Sequence, residues 1–360
     1  MVITVFHCEV NWFSKGINKL MTGQVNHQVE ISDSMTSDGE NSCMSIANGG
    51  RQGMRAFVVG NIALDETFAV DALPKEGESI FGTRRSSDLG GKGANQAVML
   101  ARCGTSVTLI AGVGDDAAAD RVRQMLDCEP LSAALRTCPN TATDMSVILS
   151  DRSGANVVVT TTDCAKAMDS NAACRALDDA SQGDLLVLQG NLTVTANEAL
   201  MDAAHHRNMH VAFNPSPVDP GLKPLLAKVN TLFLNDGEAM VLTGHFGRAA
   251  VIELLELGIE TVVLTLGESG AFLGQANQVT HVPAGKAAVL DTTGAGDSYQ
   301  GVALASAMRN ARRVSDDDLR LAADAAALTV SRFGSVSAMP SIPEIRELLS
   351  AHEKGGPQTQ

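Results

Sequence analysis

Residues 290–301 read LDTTGAGDSYQG, which places Asp291 and Asp297 on either side of a Gly-Ala-Gly. Gly294, Ala295 and Gly296 would present consecutive backbone N–H groups at the start of a helix expected over about 297–308. Such a helix start binds an anion and favours phosphate. An aspartate there commonly serves as a cap, yet capping does not call for glycines ahead of it. With a phosphoryl group on those amides, Asp297 stands where it can take a proton from an attacking hydroxyl.

A second glycine cluster, GGKGANQA at 90–97, leads into a helical stretch, ANQAVMLARCG at 94–104, closed by Gly104. Gly91 allows close backbone approach, and Lys92 and Asn95 offer donors to hydroxyl oxygens. Alone, the cluster reads equally as a tight strand-to-helix turn; the Asp297 motif supplies its partner. GVGDDA at 112–117 fits the spacing of a dinucleotide-binding turn, but Asp115 and Asp116 would repel a pyrophosphate at that helix start. DLGGKGAN has Gly93 where a P-loop needs Ser or Thr, and Ser86 where it needs its first glycine.

The remaining polar clusters have plainer readings. His205, His206 and His210 suit a helix C-terminus better than a metal site, since no carboxylate pattern completes one. Asp316, Asp317 and Asp318 read as the start and cap of the following helix. The small-residue face of Ala303, Ala305, Ser306 and Ala307 reads as close packing on a sheet.

Short apolar runs set the frame for these motifs: 54–61, 106–114, 184–191, 210–215, 231–236 and 261–267. They alternate with helical stretches such as 195–208, for which Thr195 is the expected N-cap with Glu198 at capping-box spacing. Buried strands alternating with helices predict an α/β fold with a mainly parallel sheet covered on both faces. Ligands in such sheets bind beyond the carboxyl ends of the strands. Residues 66–89 and 143–162 break the pattern and read as turn-linked strands of a small separate sheet.

The whole chain has 360 residues, 44% of them apolar, and a net charge of −14. The acidic balance disfavours nucleic acid or an anionic membrane as partner, and no apolar run is long enough for a spanning helix. Seven cysteines without a C-x-x-C pair predict reduced thiols in the cytoplasm, and the N-terminus lacks the features of a signal peptide. Residues 1–53 are polar enough to read as a poorly ordered appendage, ahead of a domain over 54–350 and a tail over 351–360.

GGKGANQAVMLARCG and DTTGAGDSYQGV resemble the two signatures of the ribokinase-like, or PfkB, carbohydrate kinases. GNIALDE, NPSP, NDGE and TLGESG fall between or before them in the family's order, so the resemblance covers nearly all of 54–349. It implies a three-layer α/β/α sandwich with a small β-sheet lid, and an ATP-dependent kinase acting on a primary hydroxyl of a small sugar, most simply a pentose such as ribose. It makes Asp297 the base and Gly294, Ala295 and Gly296 the anion hole. Asp65, Gly91 and Asn95 match positions at the sugar, beside the donor Lys92 read from the glycine cluster. Asn235 and Glu238 match an N-x-x-E element, with Glu238 reaching Mg²⁺ through water, and Thr265, Gly267 and Gly270 match the ATP turn. Asp291, with backbone carbonyls around 332–335, would hold a monovalent cation such as K⁺. Lids of this family can pair to make a homodimer.

On the sugar side the chain departs from ribokinase. Ala63 stands where an asparagine is usual, Asn191 replaces a glutamate, and Gln300 replaces an asparagine one helical turn after the base. A hexose, deoxysugar, nucleoside or sugar phosphate therefore stays open as acceptor, as does a non-catalytic sensor on the same fold.

Overall fold

The computed structural model describes residues 53–152 and 156–355. The appendage expected over 1–53 falls, but for Gly53, on residues 1–52 outside the described residues, as does 356–360 of the expected tail, whereas 351–355 continue the helix Ile342–Gly355 past the expected boundary. The strands are β1 (Arg55–Val59), β2 (Ala63–Val70), β3 (Gly82–Gly90), β4 (Ser106–Val113), β5 (Ser132–Thr137), β6 (Met145–Ser150) and β7 (Asn156–Thr160). They continue as β8 (Leu185–Gln189), β9 (His210–Asn214), β10 (Thr231–Asn235), β11 (Thr261–Thr265), β12 (Ala271–Gln275) and β13 (Gln278–Val282).

Among the described residues the main sheet has nine strands in the order β13-β12-β11-β10-β9-β8-β1-β4-β5. It is parallel from β11 to β5. A hairpin, β12–β13, adds an antiparallel edge. Strand alternation feeds two cores. Ala56 and Val58 of β1 join the core under the helices Lys92–Arg102, Ala295–Arg309 and Asp316–Val330, while Phe57 and Val59 join the core under Val194–His206 and Gly247–Glu256. The result is the three-layer sandwich expected from the sequence.

A second sheet of four strands, β3-β2-β6-β7, holds the segments that lacked helices. β2 pairs antiparallel with β3 and parallel with β6, and β7 forms an edge.

Local differences from the sequence expectations have physical causes. The helix expected from Thr195 begins at Val194, because the Thr193 side chain accepts from Ala196 N–H and caps it. Glu198 takes no part in that cap and reaches Lys228 Nζ at 3.2 Å instead. The helix expected over 297–308 starts earlier, at Ala295, because Gly294 adopts φ 73° and turns the chain into it. Asp116 caps Ala117–Leu126 and also accepts from the Thr143 backbone and hydroxyl, which commits it to structure. Ser315 and Asp318 form a reciprocal capping box at Asp316–Val330. His205 Nε2 and His206 Nδ1 contact backbone carbonyls of Lys228 and Asp202, and His210 contacts Thr231. The half-exposed β5 and the β12–β13 hairpin carry weak sequence signals. That hairpin turns through Ala276 and Asn277, both at positive φ, without the Asn-Gly or Asp-Gly pair that marks such turns.

Candidate active site

The helix Lys92–Arg102 lies against Ala295–Arg309, and Gly301 makes the approach close. A Cβ on Gly301 would lie 2.6 Å from Met99 Cβ and 3.3 Å from the Gln96 carbonyl oxygen. This contact sets the first turns of the two helices side by side, and Asp297 meets Asn95 and Gln96 there. Asn95 Nδ2 donates to Asp297 Oδ2 at 3.0 Å, and Gln96 Nε2 donates to Oδ1 at 2.9 Å. Asp297 is buried, whereas Gly296 one residue earlier is exposed and has open space where a Cβ would stand. No side chain caps this helix, and the Asp297 carboxylate is turned across to the neighbouring helix. Ala295 N–H donates to the Thr292 carbonyl at 3.3 Å, and the amides of Gly294 and Gly296 beside it remain for an anion, with the carboxylate beneath them.

Glycines make room for the second carboxylate. A Cβ on Gly90 would fall 2.1 Å from the Asp65 carboxyl carbon, and Gly91 holds φ 89° with Ile62 Cα 2.9 Å from its own Cβ position. Asp65 accepts from the Ser335 hydroxyl, while its Oδ1 is buried without a partner. Burial pushes its pKa up to about 6; the nearby Ser335 and Ser146 hydroxyls oppose the rise, and the charges of Asp88 and Asp297 add to it. The 332–337 loop is tied down by three carboxylates. Asp65 takes the Ser335 hydroxyl, Asp88 takes Ser335 N–H (3.0 Å) and Ser337 N–H (2.9 Å), and Asp291 Oδ2 takes Gly334 N–H at 3.3 Å. Asp291 Oδ1 also accepts from Thr293 N–H and its hydroxyl.

Among the described residues, buried side-chain atoms without a protein partner are Asp65 Oδ1, Asn95 Oδ1, Asn191 Oδ1, Gln189 Oε1 and Gln300 Nε2, together with Ser86 Oγ and Asn197 Oδ1. Buried polar atoms are rarely left unpaired. Those of Asp65, Asn95 and Asn191 are acceptors, the complement of a molecule rich in hydroxyl donors. Asn191 lies in the turn after β8, and Asn95 is in the first turn of the Lys92–Arg102 helix, which meets the carboxyl end of β1 where Ala94 N–H donates to the Asn61 carbonyl. The half-buried Lys92 begins that same helix.

The third group of expected residues sits at the carboxyl ends of β10 and β11, where Asn235 and Thr265 are register partners. Asn235 Oδ1 accepts from Glu238 N–H at 2.8 Å, and Glu238 Oε2 accepts from Asn235 N–H at 2.9 Å. The N-x-x-E element is thus a capping box for Asp236–Thr243. Gly267 and Gly270 bracket a short 3-10 turn at φ 60° and 91°, and a Cβ on Gly270 would run into the Val282 carbonyl at 2.1 Å. These residues share one strand-end surface, and among the described residues no hydrogen bond joins them to Asp65 or Asp297.

Gln96, Gln189 and Ser335 were not singled out in the sequence. Gln189 ends an otherwise apolar buried strand, the one local signal that could have marked it.

A buried carboxylate held beneath a helix N-terminus that no side chain caps is the arrangement that phosphoryl transfer to an alcohol calls for. The sequence profile described as pfkB family carbohydrate kinase matches residues 55–342. The chain belongs to that family and is an ATP-dependent carbohydrate kinase. It is 32% identical to a ribokinase of Mus musculus over 295 residues, 79% of this chain and 91% of that one. It is 28% identical to a deoxyribokinase of Salmonella typhi over 309 residues, 83% of this chain and all of that one. The structure of Arabidopsis thaliana ribokinase complexed with ribose and ATP superposes with a TM-score of 0.71 at 25% identity, covering 82% of this chain and 99% of that one.

Proposed function

We propose that the protein transfers the γ-phosphoryl group of ATP to the primary hydroxyl of a neutral pentose, ribose foremost. The observation that carries this proposal is Asp297, buried with both carboxylate oxygens oriented by Asn95 and Gln96 beneath the amides of Gly294–Gly296. The sugar O–H gives its proton to Asp297 while its oxygen forms the new bond to phosphorus. The bond to the bridging oxygen of ATP breaks, ADP leaves, and the amides of the anion hole take up the charge on the transferring group.

Asp65, Gly91, Lys92, Asn95 and Asn191 orient the sugar, with unpaired oxygens of Asp65, Asn95 and Asn191 accepting its hydroxyl protons. A sugar phosphate is disfavoured by the charges in place. Arg84 is committed to Glu66 at 2.5 and 2.6 Å, and Arg85 stacks 4.8 Å over Phe333. Deoxyribose meets the same acceptors and is the second acceptor to test, given the likeness to a deoxyribokinase.

Asn235, Thr265, Gly267 and Gly270 would border the nucleotide. Glu238 fits a water-mediated Mg²⁺, because its capping bond uses Oε2 and leaves Oε1 of a half-buried carboxylate; the metal would neutralise phosphate charge. Asp291, tied to Gly334, would hold K⁺ with carbonyls of the 332–335 loop. Val157, Val158 and Val159 are all exposed on the edge strand β7, which supports pairing of two lids in a homodimer. Among the described residues no helix is long and apolar enough to cross a membrane, in keeping with a cytoplasmic enzyme.

The test is ADP formation with a panel of ribose, deoxyribose, hexoses, nucleosides and ribose 5-phosphate, with Mg²⁺ and with or without K⁺. Ribose is expected to give the highest kcat/KM. Turnover confined to hexoses or phosphorylated sugars would refute the pentose assignment, and binding of ATP and sugar without turnover would indicate a sensor.

A further inference from the structure

Gln96 and Gln189 are both fully buried, and neither belongs to the sugar or nucleotide groups described above. Gln96 Nε2 donates to Asp297 Oδ1 at 2.9 Å, and Gln189 Nε2 donates to Gln96 Oε1 at 2.8 Å. The direction of this chain follows from chemistry. An ionised carboxylate only accepts, so Gln96 must turn its NH₂ to Asp297 and its oxygen away; that oxygen can be met only by a donor, so Gln189 must present its own NH₂. If the Gln96 amide turned over, its oxygen would face the Asp297 carboxylate.

The far end of the chain is pinned as well. Gln189 Oε1 lacks a hydrogen-bond partner and lies against Gly60, where a Cβ would stand 1.8 Å from it. The end of β1, the end of β8 and two helices thus meet at one row of side chains.

We propose that Gln189 and Gln96 form a polarised amide relay that positions the Asp297 carboxylate and holds it as a proton acceptor, making both of them positioning residues for phosphoryl transfer. Gln96 supplies the bond to Asp297, and Gln189 acts only through Gln96 by fixing which end of its amide faces the acid. Asn95 holds the other oxygen, so each oxygen of Asp297 keeps lone-pair capacity for the incoming hydroxyl. This role presupposes that Asp297 is the base. Asp65 is in electrostatic contact with Asp297, so the readout must separate the two carboxylates.

The experiment is the pH profile of kcat at saturating ribose and ATP, where titration that weakens sugar binding falls into KM. Gln96→Met, similar in length but without a donor, is expected to move the acidic limb of kcat upward by about one pH unit and to lower kcat at pH 7 about tenfold. Gln189→Met should shift it the same way by less, and the double variant should match Gln96→Met alone, because one residue works through the other. Gly60→Ala keeps every member of the relay but displaces Gln189, and should shift the limb in the same direction even if a Met variant folds poorly. ATP affinity, measured by fluorescence titration, should stay within about threefold of the parent. An unmoved acidic limb in Gln96→Met and Gly60→Ala, or additive effects in the double variant, overturns the relay. Retained turnover in Asp297→Asn overturns the base assignment and the relay with it, whereas an inactive Asp297→Asn beside unmoved limbs overturns the relay alone.

Discussion

The two halves of the candidate site are built on opposite principles. Around Asp65 and Asp297 the side chains are buried, and several keep an unpaired oxygen. Around Asn235 and Glu238 they are exposed or half-exposed and have closed hydrogen bonds upon each other. Leaving polar atoms buried and unpaired costs stability, typically 1–3 kcal/mol each by order of magnitude, so such atoms mark where a ligand completes the structure. A capping box is already complete and explains itself without a ligand. The acceptor half is therefore argued from geometry, and the nucleotide half from its place at the ends of β10 and β11 and from family membership.

The contrast is sharpest at Asp65. Asp65→Asn should lower kcat/KM for the sugar about a hundredfold, since a charged acceptor is lost, and leave KM for ATP nearly unchanged. The same change should stabilise the protein at alkaline pH. The folded state raises Asp65 from 3.8 to about 6 by burial. It thus binds this proton more tightly than the unfolded chain, and stability falls as pH rises from 3.8 to 6. Above pH 6 the full cost, on the order of 3 kcal/mol, is in place. Thermal unfolding should show a higher midpoint for Asp65→Asn at pH 8 and little gain at pH 4; a lower midpoint at pH 8 would show that the buried charge is not a burden.

In the unaltered enzyme, KM for the sugar should rise as pH drops below about 6, approaching tenfold per unit, while ATP affinity follows its own titration. A flat KM from pH 5 to 8 would remove Asp65 from the sugar contacts.

Gly301→Ala tests whether helix packing sets the acceptor half. Its methyl would overlap Met99, costing about 1–3 kcal/mol of stability and lowering kcat more than ATP affinity, because the displaced turns carry Asn95, Gln96 and Asp297. Equal losses in both would place the packing upstream of the whole fold.

The smallest effect is expected on the nucleotide side. Asn235→Ala removes the capping box at about 1 kcal/mol of stability, with a modest rise in KM for ATP. Collapse of sugar binding in this variant would break the division between the two halves.

The three layers and the separate small sheet were legible because buried strands and turn-linked strands carry different hydrophobic patterns. Asp297, Asn95 and the glycines were legible because glycine clusters before helices have a limited set of uses. Gln96 and Gln189 were not, since a glutamine in a helix or at a strand end means nothing until residues 93 positions apart meet. Ser335 was hidden for the same reason, reaching Asp65 across 270 positions. Asn235 and Glu238 show the converse limit: N-x-x-E is both a capping box and a kinase element, and spacing does not separate the two. The cap of Val194–His206 was misplaced by two residues because Thr193 and Thr195 offer the same hydroxyl, and only the backbone turn chooses between them.

The most direct test is ADP release by Asp297→Asn beside the unaltered enzyme, at saturating ribose and Mg²⁺·ATP, with ATP binding measured on the same preparations. Loss of turnover by at least about a thousandfold with ATP affinity within threefold is the expected result. Turnover within tenfold of the unaltered enzyme would contradict the assignment of Asp297 as the base.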